Sequence, residues 1–158
     1  MTNPLTEHHC ILWLKAASFI TIITGLAASC ASHPAGEGLW LLLFDILNWP
    51  LDGIPGGFDA VSRPLNAVLG GVMIGWGLMM YGLLNPKIYC DGIRIVLLRG
   101  LLVWFAVDSI GSFAADIPSN VILNMAFLGM FLPPLILLRP RHPESGISSR
   151  KNHHSRSL

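Results

Sequence analysis

The sequence predicts an all-α integral membrane four-helix bundle, with a short interfacial or re-entrant helix in its first outer loop. Three observations carry this. Hydrophobic residues make up 53% of the chain and charged ones only 12%, against roughly 25% charged in soluble chains, and the mean hydropathy is +0.59. Four stretches reach the roughly 20 apolar residues that a helix needs to cross a hydrocarbon core about 30 Å thick. The cations fall almost entirely to one side of those stretches. Such a composition excludes a disordered chain, a basic surface for nucleic acid and a disulfide-stapled scaffold.

The first stretch runs from about Ile11 to Ala31, with Lys15 near its start. A competing reading makes it a cleaved signal, because Leu26-Ala27-Ala28-Ser29-Cys30 is similar to a lipoprotein cleavage box. Against that, Met1 to Cys10 holds no Lys or Arg, Lys15 interrupts the apolar run, and Ala27 stands where a branched aliphatic is usual. Residues 32–64 form the longest outer loop. Within it Leu39 to Trp49 is strongly apolar, yet as a helix it would reach only about 16 Å, too short to cross. It lies in the outer interface or dips into the mouth of the bundle, with Trp40 and Trp49 suited to the headgroup layer; the plainer alternative is an apolar loop covering the helices. Leu41, Asp45, Asn48 and Asp52 follow helical spacing, and Pro50, Gly53, Pro55, Gly56 and Gly57 make a turn-rich connector.

The second stretch, about Leu65 to Leu84, carries no formal charge. The third, about Ile93 to Phe113, holds Arg94 and Arg99 near one end and Asp108 near the other. The fourth, about Val121 to Leu138, stops at Arg139-Pro140-Arg141. Residues 1–138 thus read as one four-span domain and 139–158 as a disordered basic cytoplasmic tail. Two adjacent histidines in that tail, His153 and His154, are too few ligands for a metal site.

An even number of spans puts both termini and the loop between the second and third spans on one side. That side receives Lys15, Lys87, Arg94, Arg99, Arg139, Arg141, Arg150, Lys151 and Arg156, leaving only Arg63 of the 10 Lys and Arg for the other. By the positive-inside rule the cation-rich side is the cytoplasm. Glu37, Asp45, Asp52, Asp59 and Asp116 gather on the outer side.

Without a hydrophobic drive between lipid-facing helices, small residues that allow close backbone approach become the packing signal. On the second span Ala67, Gly71, Gly75, Leu78 and Gly82 share a face, and Gly71 to Gly75 is a GxxxG spacing. Ser18, Thr21, Gly25 and Ser29 form a comparable stripe on the first; Gly100, Trp104, Asp108, Gly111 and Ala115 share a face of the third. These stripes read as an intramolecular bundle, or, for Gly71 and Gly75, as a homodimer seam.

An ionisable group within a membrane helix costs several kcal/mol, on the order of the insertion penalties, unless paired or hydrated. Asp108 is the acid that no loop claims. It lies about one and a half turns inside the outer end of the third span. Ser112 and Asp116 share its face, and Asn120, Asn124, Asn66 and Arg63 lie near the same membrane level. In a functional reading Asp108, Ser112, Asn124 and Asp45 line a hydrated cavity for a polar head, a proton or a small solute. In a structural reading Asp108 pairs with Arg63 and the asparagines bridge helices; Arg63 has Asp59 as another candidate partner. No catalytic set, cofactor motif or metal-ligand spacing accompanies these groups. Cys10, Cys30 and Cys90 make no CxxC and fall on different sides, so a dithiol mechanism lacks its second thiol.

Phe44-Asp45-x-x-x-Trp49-Pro50-x-Asp52-Gly53, Leu69-Gly70-Gly71 with Gly75-Trp76-Gly77, Asp108-Ser109-x-Gly111-Ser112 and Pro118-x-Asn120-x-x-x-Asn124 resemble a family of small bacterial four-helix membrane proteins without an assigned reaction. The pattern of four short spans with a glycine-rich second helix is similar, at fold level, to DoxX-like membrane proteins. The resemblance implies an integral protein of the bacterial inner membrane and no particular chemistry. This chain reads Ala115-Asp116-Ile117-Pro118 where a glycine would precede the proline, adding an acid near the polar cluster. The expected role is a non-enzymatic module whose outward polar pocket takes a small polar or amphipathic ligand or a partner, in contact with membrane lipid. The alternative is a small oligomeric transporter or channel subunit.

Overall fold

A computed structural model describes residues 4–47 and 57–138. The described residues form five α-helices and no strand: α1 Pro4–Cys30, α2 Gly38–Leu47, α3 Ser62–Leu83, α4 Asp91–Ala114 and α5 Ser119–Leu137. Asn48, Trp49, Pro50, Asp52, most of the connector after them and the 139–158 tail lie outside the described residues. Three helices, α1, α3 and α5, are long and apolar enough to cross a membrane. Helix α4 is 24 residues long but carries Asp91, Arg94, Arg99 and Asp108. Helix α2 has 10 residues, about 15 Å of helix, and stops short of a crossing.

Local chemistry explains the boundaries. Along α1 the hydroxyls of Ser18, Thr21 and Thr24 donate to the carbonyls of Leu14, Ala17 and Ile20 at 2.8, 3.0 and 2.9 Å. Those polar groups are thereby satisfied within their own helix. After α1 a single 3-10 turn, Pro34–Gly36, is capped by His33 Nδ1, which accepts from the Ala35 N–H at 3.2 Å. Ahead of α3 the Asp59 carboxylate accepts from the Ser62 hydroxyl at 2.6 Å, the Ser62 N–H at 2.7 Å and the Val61 N–H at 3.1 Å. Those bonds, the Ser62 hydroxyl first, hold its carboxyl below the usual carboxylate range. Helix α4 ends in a Schellman turn: the Ile117 N–H reaches the Ser112 carbonyl at 2.9 Å and the Asp116 N–H reaches Phe113 at 3.2 Å. Asp116 takes the left-handed position, φ 58°, usually filled by Gly. The acid in this turn is exposed and ends a helix.

Helix α1 is the centre of the bundle, with α3 packed along it, α5 on another side and α4 against α5. A core at the end holding the 84–90 loop joins Leu14, Met80, Leu84, Leu101, Phe131 and Leu135, all closed to the surroundings. A smaller cluster at the α2 end joins Ala28, Ala31 and Trp40, with Phe44 and Phe58 against it.

The α1–α3 seam uses different glycines from those of the GxxxG stripe. A Cβ on Gly70 would stand 2.4 Å from the Gly25 carbonyl oxygen and 2.5 Å from the Ser29 nitrogen; one on Gly77 would stand 2.9 Å from the Ser18 carbonyl oxygen. Gly25 meets the Gly70 carbonyl oxygen at 2.8 Å in the same way. At Gly71, Gly75 and Gly82 nothing lies within 4 Å. The helix is rotated by about one residue, roughly 100°, from the orientation that stripe requires. Asn66, Gly70, Gly77 and Met80 therefore form its buried face. Turning Asn66 inward removes a polar amide from the outward surface.

Candidate functional site

Helices α3 and α4 are consecutive in the chain yet do not pack closely on one another. Towards the 84–90 loop they meet through side chains, and Trp76 of α3 lies 5.5 Å from Trp104 of α4, ring centre to ring centre. Trp76 also stacks on Phe131 at 5.8 Å, and Trp104 meets Phe127 edge-on at 6.4 Å. Beyond this aromatic floor the two helices border a cavity of about 1140 Å³. Its walls are apolar: Leu69, Val72 and Met73 from α3, Val103 and Val107 from α4, Leu123 and Met130 from α5. Val72, Val103 and Val107 are each more than 60% exposed, so the cavity is a cleft open sideways between α3 and α4.

Helix α2 roofs the far end, placing Trp40, Leu43, Phe44 and Leu47 over it. Two hydrogen bonds hold the roof. The Trp40 indole N–H donates to the Asn66 Oδ1 of α3 at 3.3 Å, and the Ser119 hydroxyl of α5 donates to the Leu47 carbonyl. Trp40 is 6% exposed, so its ring is inside the bundle and not in a headgroup layer as its sequence position suggested.

The polar groups of the cleft sit under this roof. Asp108, Ser112, Asn120 and Asn124 all line it. The Ser112 hydroxyl donates to the Asp108 backbone carbonyl at 2.7 Å and accepts from the Asn120 amide at 2.8 Å. The Asn124 amide reaches the Ser109 hydroxyl at 3.5 Å, a weak bond. Asparagine side chains thus join α5 to α4, and interhelical amide contacts of this kind hold membrane bundles together. The Asp108 carboxylate is half-buried and has no hydrogen-bond or ion-pair partner among the described residues.

Two expected members of the constellation are elsewhere. Arg63 pairs with Glu37 at 2.8 Å, serving neither Asp108 nor Asp59. Short reach explains it: Arg63 opens α3 beside the loop that carries Glu37, whereas Asp108 is inside the cleft. Asp45 is buried, 8% exposed, on α2 but is not in the cleft wall, since the residues around it, Trp40, Leu43, Phe44 and Leu47, turn the opposite side of α2 towards the cavity. The face shared by Gly100, Trp104, Asp108 and Gly111 is real, but it borders the open cleft: a Cβ on Gly100 or Gly111 would meet nothing within 4 Å. Sequence reasoning missed the aromatic floor. Its signal was two tryptophans at mid-helix, away from the ends where membrane tryptophans usually gather.

The described residues hold no group of three His, Cys, Asp or Glu fit for a metal ion, and the three cysteines are free thiols. Compared with family models, with curated proteins and with solved structures, the chain matches none.

Proposed function

We propose that this chain crosses a cell membrane four times, through α1, α3, α4 and α5, and that it holds a small amphipathic molecule in the α3–α4 cleft. The observation that carries this reading is the form of the cleft itself: an apolar space of about 1140 Å³, open sideways, ending at a polar cluster under a roof. Drug-sized ligand pockets are typically about 300–1,000 Å³, so there is room for one extended chain and a head. The apolar part of the ligand lies against Val72, Val103 and Trp104, and its head meets Asp108, Ser112 and the two asparagines. These groups bind and orient; no bond-breaking step is assigned to them.

Lipid as the solvent of α4 is supported by its outward face. Val96, Ile110 and Phe113, none of them in the cleft lining, are 61–69% exposed, a surface that water would not tolerate at this density. Arg94 is half-buried beside Asp91 at 3.0 Å, and Arg99 is long enough to extend towards the headgroups. Both termini and residues 84–90 face the cytoplasm by the cation count. The central position of α1 supports its retention in place of cleavage as a signal.

The test is to fill the cleft without touching its packing. Gly111→Leu adds a side chain into open space beside Asp108. Native mass spectrometry of gently extracted wild-type protein should find a co-bound amphiphile that the Gly111→Leu protein lacks. A wild-type protein that is always empty, in native membranes and after reconstitution with lipid extract, contradicts the reading. A second reading, an oligomeric transporter or channel subunit, is favoured by one feature: the Gly71, Gly75 and Gly82 stripe faces outward and is free for a second copy. The same spectra decide it, since a strictly monomeric protein removes its basis.

A further inference from the structure

The chemistry of the cleft also specifies the head it would take. Of its lining residues, Asp108 is the sole ionisable one, and none is cationic. Arg63, the cation nearest that end, is committed to Glu37. The one ionisable group of the cleft is thus an acid in apolar surroundings, with no cation facing it among the described residues. A carboxylate so placed is costly without a donor or a cation to face.

The neutral groups around it are biased the same way. The Ser112 and Thr24 hydroxyls both donate to backbone carbonyls, at 2.7 and 2.9 Å. The Asn120 amide donates to Ser112 at 2.8 Å, and the Trp40 indole to Asn66 at 3.3 Å. Each donation ties up a hydrogen and leaves one amide N–H on each of Asn120 and Asn124, while the side-chain oxygens of Asp108, Asn120 and Asn124 remain available and outnumber those donors. Aromatic rings at both ends of the cleft, Trp40 and Phe44 in the roof and Trp104 in the floor, add faces that attract cations.

We infer that the cleft binds a single-chain lipophilic amine, its protonated head donating to Asp108 and the asparagine oxygens and its chain lying down to the Trp76–Trp104 floor. This rests on the amphiphile reading above and narrows it to one charge type. A zwitterionic phospholipid fits less well, because its phosphate would be brought close to the Asp108 carboxylate.

The experiment compares heads on one chain. Full-length protein in a neutral maltoside is titrated with dodecylamine, 1-dodecanol, dodecanoate and a lysophosphatidylethanolamine of equal chain length, and tryptophan fluorescence is followed. The Gly111→Leu protein supplies the baseline for non-specific partition. Dodecylamine should bind at least about tenfold more tightly than the alcohol, a difference of about 1.4 kcal/mol, with the carboxylate weakest. Asp108→Asn should bring amine and alcohol to within about twofold, and Asp108→Glu should keep the preference. Equal binding of amine and alcohol by the wild type, or tighter binding of the carboxylate or the lysophospholipid, overturns the head assignment while leaving an occupied cleft. An Asp108→Asn protein that keeps the wild-type preference overturns it as well. Four probes that all fail to perturb the wild type beyond the Gly111→Leu baseline defeat the amphiphile reading itself.

Discussion

Adjacent glycines at 70 and 71 should respond oppositely to one methyl group. At Gly70 the added Cβ would lie 2.4 Å from the Gly25 carbonyl oxygen, 2.5 Å from the Ser29 nitrogen and 2.7 Å from the Ser29 Cβ. Two of these atoms are backbone, so no rotamer change relieves the clash and α1 must move away from α3. Overpacking of this kind costs about 1–3 kcal/mol, with the upper end expected against rigid backbone. The helix-forming advantage of Ala over Gly, about 1 kcal/mol, offsets part of it. Gly70→Ala should therefore lose about 2 kcal/mol. Gly71→Ala meets open space and keeps the propensity gain, so it should be neutral or up to about 1 kcal/mol more stable. With a melting shift of about 2–4 °C per kcal/mol for chains of this size, the two variants should melt roughly 4–12 °C apart in a mild detergent, read by far-ultraviolet circular dichroism. If Gly71→Ala proves the more damaging of the two, the α1–α3 register described above is wrong, and the GxxxG stripe is the true seam.

Five further substitutions, at four positions, probe other joints. Asp116 occupies a left-handed backbone position, so Asp116→Gly should raise the melting temperature by the equivalent of about 0.5–1 kcal/mol, and Asp116→Val should lower it; equal melting of all three would remove the strain argument. Arg63→Met leaves Glu37 without its ion-pair partner at 2.8 Å and should cost about 1.5–3 kcal/mol, whereas Asp108→Asn, which breaks no contact among the described residues and removes an unfaced carboxylate, should leave melting unchanged or raise it. The reverse ranking would restore the pairing of Asp108 with a cation. Burial pushes the Tyr89 phenol up to about 12, helped by Asp91 and opposed by Arg94, while its hydroxyl donates to the Leu138 carbonyl at 3.4 Å. The folded value exceeds the ordinary 10, so this group's contribution to stability is intact below pH 10 and is lost as pH rises towards about 12. Tyr89→Phe should abolish that loss in alkaline melting curves, and a wild-type curve flat to pH 12 would contradict it.

The helices were legible because apolar length is written one residue at a time. Their rotation was harder to read. Gly70 and Gly71 are neighbours, and small-residue spacing fits either face of α3. The distinguishing mark was Asn66, which falls four residues before Gly70 and eleven before Gly77 and has to turn away from lipid. The pairing of Arg63 depended on a fold-back of the loop after Cys30, where Gly36 sits against the Cys30 carbonyl, 2.5 Å from a Cβ built there; no periodicity announces that turn. Asp108, Ser112, Asn120 and Asn124 were legible as one level of the bundle because each helix rises a fixed amount per residue. The cleft beside them was not. A void depends on which helices fail to touch, and the mid-helix position of Trp76 and Trp104 hinted at a filled interior without showing the gap above it. Asp45 misled for the opposite reason: helical spacing gave it a polar face with Asn48 and Asp52, but spacing alone cannot say which side of a ten-residue helix is turned to a cavity.

Helix α4 decides the membrane account, because it carries four charged residues and three other helices are already apolar enough to cross. With four crossings the two ends of the chain share a side; with three they are opposed. A reporter fused after Leu158, read in intact cells that also carry a marker before Met1, measures this directly. Both signals in the cytoplasm are the predicted result, and a cytoplasmic first marker with an external second one would contradict it.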